Sequence, residues 1–284
     1  MTLGGYGWMI GALPVVQAAL IATHLAQIVR MERQGGARSL GRLALVAGAA
    51  LAFVTVAIPL QLERQWITVG WALEGAALAW LYGRVPHRGL LLATAALFAV
   101  VFMRLAANPS VLTYEPRGEI RIWNWYLYTY VICAAATLGG SRLLARTHDT
   151  LSDGMPRLSS LLAGGSVILL FLLLNIEIAD FYATGPTITF NFTATLAQDL
   201  TYTLGWALFA VGLLAAGIAL RNRPGRIAAI ALLAVTVFKA FLHDLARLGG
   251  LYRVGSFVGL AVCLALVALA LQRFVLIPKP KEAA

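Results

Sequence analysis

Apolar stretches of about 20 residues follow one another from Trp8 to Ile277 with only short polar breaks between them. A helix needs roughly 20 apolar residues to cross a hydrocarbon core about 30 Å thick. A chain built from such stretches is therefore expected to be an all-α integral membrane protein. Composition agrees: 12% of the residues are charged and the mean hydropathy is +0.81, whereas soluble domains carry roughly 25% charged residues. No soluble domain fits between the apolar runs.

The spacing predicts about nine transmembrane helices, at 8–29, 40–60, 66–83, 88–105, 123–146, 158–180, 196–220, 226–246 and 252–277. The formal charge is +10, which in a soluble protein would point to nucleic acid. Here the positions of the charges decide. Fifteen of the 22 Lys and Arg residues fall in alternate connections, beginning with Arg30, Arg33, Arg38 and Arg42 and ending with Arg273, Lys279 and Lys281. By the positive-inside rule those connections are cytoplasmic, which puts the N-terminus outside and the C-terminus in the cytoplasm. No folded basic domain exists to engage nucleic acid. No Lys or Arg precedes Arg30, so the chain lacks a cleavable signal pattern and the first helix is expected to be retained. Trp66, Trp123, Trp125, Tyr126 and Tyr128 gather at the expected outer helix ends, as an interfacial aromatic belt would.

An internal repeat is also legible. Thr68-Val69-Gly70-Trp71-Ala72-Leu73 opens the third span and Thr203-Leu204-Gly205-Trp206-Ala207-Leu208 opens the seventh, 135 residues later. At nearly the same offset, Val101-Phe102 precedes Arg104 and Val237-Phe238 precedes Lys239. The expected organisation is a leading helix with its cytoplasmic loop (1–39), a first four-helix unit (40–157) and a parallel second unit with a short cytoplasmic tail (158–284).

The run Val237-Phe238-Lys239-Ala240-Phe241-Leu242-His243-Asp244-Leu245, followed by Gly250-Leu251-Tyr252-Arg253-Val254-Gly255-Ser256-Phe257, resembles the end of a bacterial family of predicted membrane proteins catalogued as domain of unknown function 2339. Trp71-Ala72-Leu73-Glu74-Gly75-Ala76-Ala77-Leu78 is similar to another recurring stretch of that family. Its members are usually longer, so the resemblance is to their C-terminal part. It implies a multi-helix protein of the bacterial inner membrane and supplies no catalytic residue, substrate or cofactor.

Ionisable side chains at membrane depth cost at least ~2.5–3.5 kcal/mol on insertion scales, so each must face protein or a wet cavity. Glu74 lies eight residues inward from Trp66, and Lys239 eight inward from Arg247. At 1.5 Å per residue both sit roughly 12 Å below the outer helix ends, where they are expected to pair, either as a structural clip or along a polar route. Arg104, Glu177, Asp180, Asp199, His243, Asp244 and Arg253 add further polar groups to the outer half. Lys239, His243 and Arg247 share one helical face, and together these residues form the candidate site, which contains no assigned catalytic residue.

His243 with Asp244, Asp180 and Glu177 has the ligand types for a metal, but the chain holds no His-x-x-x-His, paired-Cys or Glu-x-x-His spacing, and no metal or cofactor is expected. Cys133 and Cys263 fall inside apolar segments and read as small hydrophobes. Gly-Lys-Ser/Thr and Gly-x-Ser-x-Gly elements are absent, which leaves nucleotide-driven and serine-hydrolase chemistry without an anchor. Three functions stay open: transport or handling of a lipid or envelope component, a structural or accessory subunit of an envelope complex, and a membrane enzyme with Asp180, Glu177 or Asp244 as base. The partners expected are membrane lipids, with an envelope protein or a second copy.

Overall fold

The structure is a computed structural model. It describes residues 40–62, 65–113, 122–152, 154–185, 188 and 195–241, with scattered helical residues between 16 and 31 and between 258 and 272. Among the described residues every regular element is helical. Seven α-helices follow in order: α1 (Leu40–Gln61), α2 (Gln65–Arg84), α3 (Arg88–Ala106), α4 (Trp125–Leu144), α5 (Leu158–Tyr182), α6 (Leu196–Ala219) and α7 (Arg223–Lys239), with a 3₁₀ turn at Pro109–Thr113. Four segments, Arg88–Ala106, Trp125–Leu144, Leu158–Tyr182 and Ala197–Ala219, are long and apolar enough to cross a membrane. The expected spans at 8–29 and 252–277 lie largely outside the described residues.

Local chemistry sets the helix starts. His87, Asn124, Thr195 and Asn222 each stand in extended backbone before a helix and accept a backbone N–H from its first turn. Asn222 together with Pro224 in the first turn starts α7 at Arg223, three residues before the expected 226.

The chain divides into two compact units, residues 1–177 with 185–188, and residues 178–184 with 189–284. In the first, α2 packs on α3 and α4. Leu78 and Tyr82 of α2, Leu90 and Phe98 of α3, Leu144 of α4 and Leu162 of α5 belong to one buried cluster. Phe98 explains the close approach. A Cβ on Gly75 would stand 3.1 Å from its ring, and one on Gly140 would stand 2.8 Å from it. The ring is thus seated between two glycines on facing helices. In lipid, where tails are as apolar as any side chain, contact of this kind is the main packing force between helices.

Ser141 Oγ donates to the Ser159 carbonyl (2.7 Å) and Ser166 Oγ to the Ala134 carbonyl (2.9 Å), tying α4 to α5. In the second unit α6 and α7 form an antiparallel hairpin. Gly217 admits it, because a Cβ there would meet Arg226 Cγ at 2.9 Å.

The aromatic belt needs correction. Trp66 and Trp123 are exposed, and Trp66 stacks on Tyr128 at 5.6 Å. Trp125 and Tyr126, however, are buried at the start of α4, with the Tyr126 hydroxyl donating to the Leu112 carbonyl at 2.7 Å. They share the buried face of α4 with Thr129, Tyr130 and Cys133, so helix rotation assigns them to the protein interior.

Candidate functional site

Glu74 occupies the middle of α2, nine residues from Gln65 and ten from Arg84, and is 5% exposed. Its Oε1 accepts a hydrogen bond from Thr55 Oγ1 of α1 at 2.6 Å. The same hydroxyl lies 3.0 Å from the Leu51 carbonyl, and one turn from Glu74 the Trp71 indole donates to the Thr55 carbonyl at 3.4 Å. These contacts hold α1 against α2 at the depth of the carboxylate. Oε2 is buried and has no hydrogen-bond partner among the described residues. An unsatisfied buried acceptor costs about 1–3 kcal/mol, and more when charged.

Glu74 is among the residues that line a cavity of about 640 Å³ between α1, α2 and α3. Small residues shape it: Gly48, Ala49 and Ala52 from α1 and Ala93 and Ala96 from α3 leave the room that larger side chains would fill. Leu78, Leu90 and Leu97 complete an apolar wall, and His87 stands at the N-terminus of α3 on the same lining.

Lys239, at the end of α7, lies in the second unit. Its ammonium donates to Thr203 Oγ1 at 2.8 Å and to the Asp199 carbonyl at 3.3 Å, and it stands 3.7 Å from Asp199 Oδ1. Asp199 and Thr203 are one turn apart on α6, and the Asp199 side chain is fully buried. Glu74 and Lys239, expected as a pair, each find company inside their own unit.

The other expected residues fall as follows. Arg104 lies in the last turn of α3 with its Nε buried. Glu177, on α5, accepts a hydrogen bond from Asn124 Nδ2 at 3.2 Å, which joins the start of α4 to α5. Asp180 is buried at 3% exposure near the end of α5. Close by, the Tyr182 hydroxyl and Thr201 Oγ1 stand 2.8 Å apart. His243, Asp244 and Arg253 lie outside the described residues. Among the described residues no group of three His, Cys, Asp or Glu side chains is placed to hold a metal.

Two partners escaped the sequence reading. Thr203 was reachable, because it lies four residues from Asp199 on the same helical face. Thr55 was not: a threonine in an apolar helix carries no mark of its distant partner.

The chain matches the model of one protein family, described as predicted membrane protein (DUF2339), over residues 2–186 and again over residues 84–274. No curated protein and no solved structure matches it.

Proposed function

We propose, for a chain that belongs to the DUF2339 family of predicted membrane proteins, a function in handling a lipid or lipid-linked envelope component in the bacterial inner membrane. The observation that carries this reading is the Glu74 carboxylate, buried in an apolar cavity wall with Oε2 unpartnered among the described residues. Ligand sites are typically ~300–1,000 Å³, mostly apolar, with a few placed polar groups. The cavity matches on each count. A structural ion pair would set a cation beside the carboxylate, whereas the described partner of Glu74 is the neutral Thr55 hydroxyl, which suits a hydroxyl, amide or ammonium carried by a largely apolar molecule. Small residues on both flanking helices leave width for a chain lying along α2.

Native mass spectrometry of the protein purified in mild detergent tests the reading. A lipid-class adduct is expected on the native chain, reduced at least several-fold by Glu74→Gln and by Ala93→Trp, which fills the cavity. Equal retention by all three proteins refutes it.

The nine-span arrangement, with N-terminus outside and C-terminus inside, and the parallel repeat belong to the same proposal. The repeat draws support from the helix ends. Shifted by 135 residues, the end of α2 at Arg84 falls on the end of α6 at Ala219, and the start of α3 at Arg88 falls on the start of α7 at Arg223. The capping residues His87 and Asn222 coincide under the same shift, as do the cations Arg104 and Lys239. The two overlapping matches to one family model are in keeping with an internally repeated chain. Reporter fusions in 84–88 and 221–226 are expected to report the cytoplasmic side at both places.

A further inference from the structure

A second cavity, of about 340 Å³, lies within the first unit, where residues 145–157 link α4 to α5. Its lining is polar: Tyr82, Arg88, His148, Thr150 and Ser152 all reach it. The link is held in place at three points. Asp149 is fully buried; its Oδ2 accepts the Ser159 N–H at 2.7 Å and its carbonyl accepts the Leu158 N–H at 3.1 Å, capping the start of α5. The Tyr82 hydroxyl donates to the His148 carbonyl, and Arg88 donates to the Leu151 carbonyl at 3.2 Å. With Asp149 turned inward, His148 and Thr150 on either side of it are exposed.

The donors outnumber their uses. A guanidinium has five N–H groups, and the contact to Leu151 occupies one. The imidazole of His148 and the hydroxyls of Thr150 and Ser152 make no hydrogen bond among the described residues. Arg84, Arg142, Arg146 and Arg157 flank the same helix ends and are exposed. Of the link's two carboxylates, Asp149 faces α5 and Asp153 lies outside the described residues. A planar guanidinium beside several hydroxyl and ring donors is the chemistry that recognises a tetrahedral oxyanion.

We propose that this cup binds a phosphate group, carried either by the headgroup of an anionic lipid or by a soluble phosphate ester. The inference does not rest on the Glu74 reading, since the two cavities are lined by different residues.

The test uses the full chain in nanodiscs, in two arms. Glycerol 3-phosphate and inorganic phosphate are titrated into phosphatidylcholine discs by calorimetry, and phosphatidylglycerol retention is measured by native mass spectrometry. Binding of the soluble phosphates identifies the ester as the source, and retention of phosphatidylglycerol alone identifies the headgroup. In the arm that binds, Arg88→Gln, or Thr150→Val with Ser152→Ala should Arg88→Gln not fold, is expected to weaken binding about tenfold or more, as loss of charge-assisted hydrogen bonds does. Arg142→Gln, an exposed cation off the cup, is expected to change it less than about twofold. Silence in both arms, or an equal loss with Arg142→Gln, overturns the proposal; equal loss would mean diffuse surface charge rather than a site.

Discussion

Glu74 and Lys239 are both ionisable groups carried by apolar helices, and the molecule treats them in opposite ways. Lys239 sits in a triad with Thr203 and Asp199 of α6: its ammonium donates to the Thr203 hydroxyl and the Asp199 carbonyl and stands 3.7 Å from Asp199 Oδ1. Glu74 accepts from Thr55 through one oxygen, has the other buried, and is among the residues lining a cavity walled by alanine, glycine and leucine. The lesson is that burial of a charge does not by itself mark function. What separates the two is the kind of partner among the described residues: Lys239 has an opposite charge beside it, whereas Glu74 has a neutral hydroxyl.

The comparison can be broken most forcefully at Lys239. Lys239→Met leaves Asp199 buried without its cation and is expected to cost about 3–5 kcal/mol, read as a loss of thermal stability in detergent; adding Asp199→Asn should recover more than half. A cost below about 1 kcal/mol would mean the triad is no clip.

Next in size is Gly140→Val, which drives a side chain into the Phe98 ring and should cost about 1–3 kcal/mol by overpacking. Gly139→Val, where nothing lies within 4 Å, should cost clearly less, separating the tight contact from glycine content in general. Thr55→Val removes the hydrogen bond that Glu74 accepts from Thr55 and is expected to cost about 1–2 kcal/mol in the same melts. Glu74→Gln is the mildest for stability, within about 1 kcal/mol of the native chain because it removes a buried charge while keeping an acceptor for Thr55. Its effect should appear in lipid retention instead. A large destabilisation by Glu74→Gln would place Glu74 in the same class as Lys239.

Much of the fold was legible because membrane helices announce themselves by length and hydropathy. Helices α1–α7 fall on the expected segments from 40–60 to 226–246, with starts displaced by a few residues where caps such as Asn222 and Asn124 intervene; 242–246 lie outside the described residues, and four of the segments are long and apolar enough to cross a membrane. The site was legible only by residue type. Hydropathy says that Glu74 and Lys239 need company, and depth along the helix left them as candidates for each other. Choice of partner is decided by helix rotation and by which helices adjoin, and neither is written in the period of an apolar segment whose every face is apolar. The same blindness put Trp125 and Tyr126 in an interfacial belt when α4 turns them inward. The cup beside Arg88 was missed for a different reason: Tyr82 and Arg88 lie about 60 residues before His148, Thr150 and Ser152, and the contacts of Asp149, Tyr82 and Arg88 that bring them together carry no sequence signal.

The most direct test of the proposal that a ligand reaches Glu74 from the cavity is labelling of the native protein in membranes with a bilayer-partitioning carbodiimide, followed by peptide mapping. Modification is expected at Glu74, suppressed by Ala93→Trp, with Asp199 spared behind Lys239. Unmodified Glu74 alongside labelled Asp199 would contradict it.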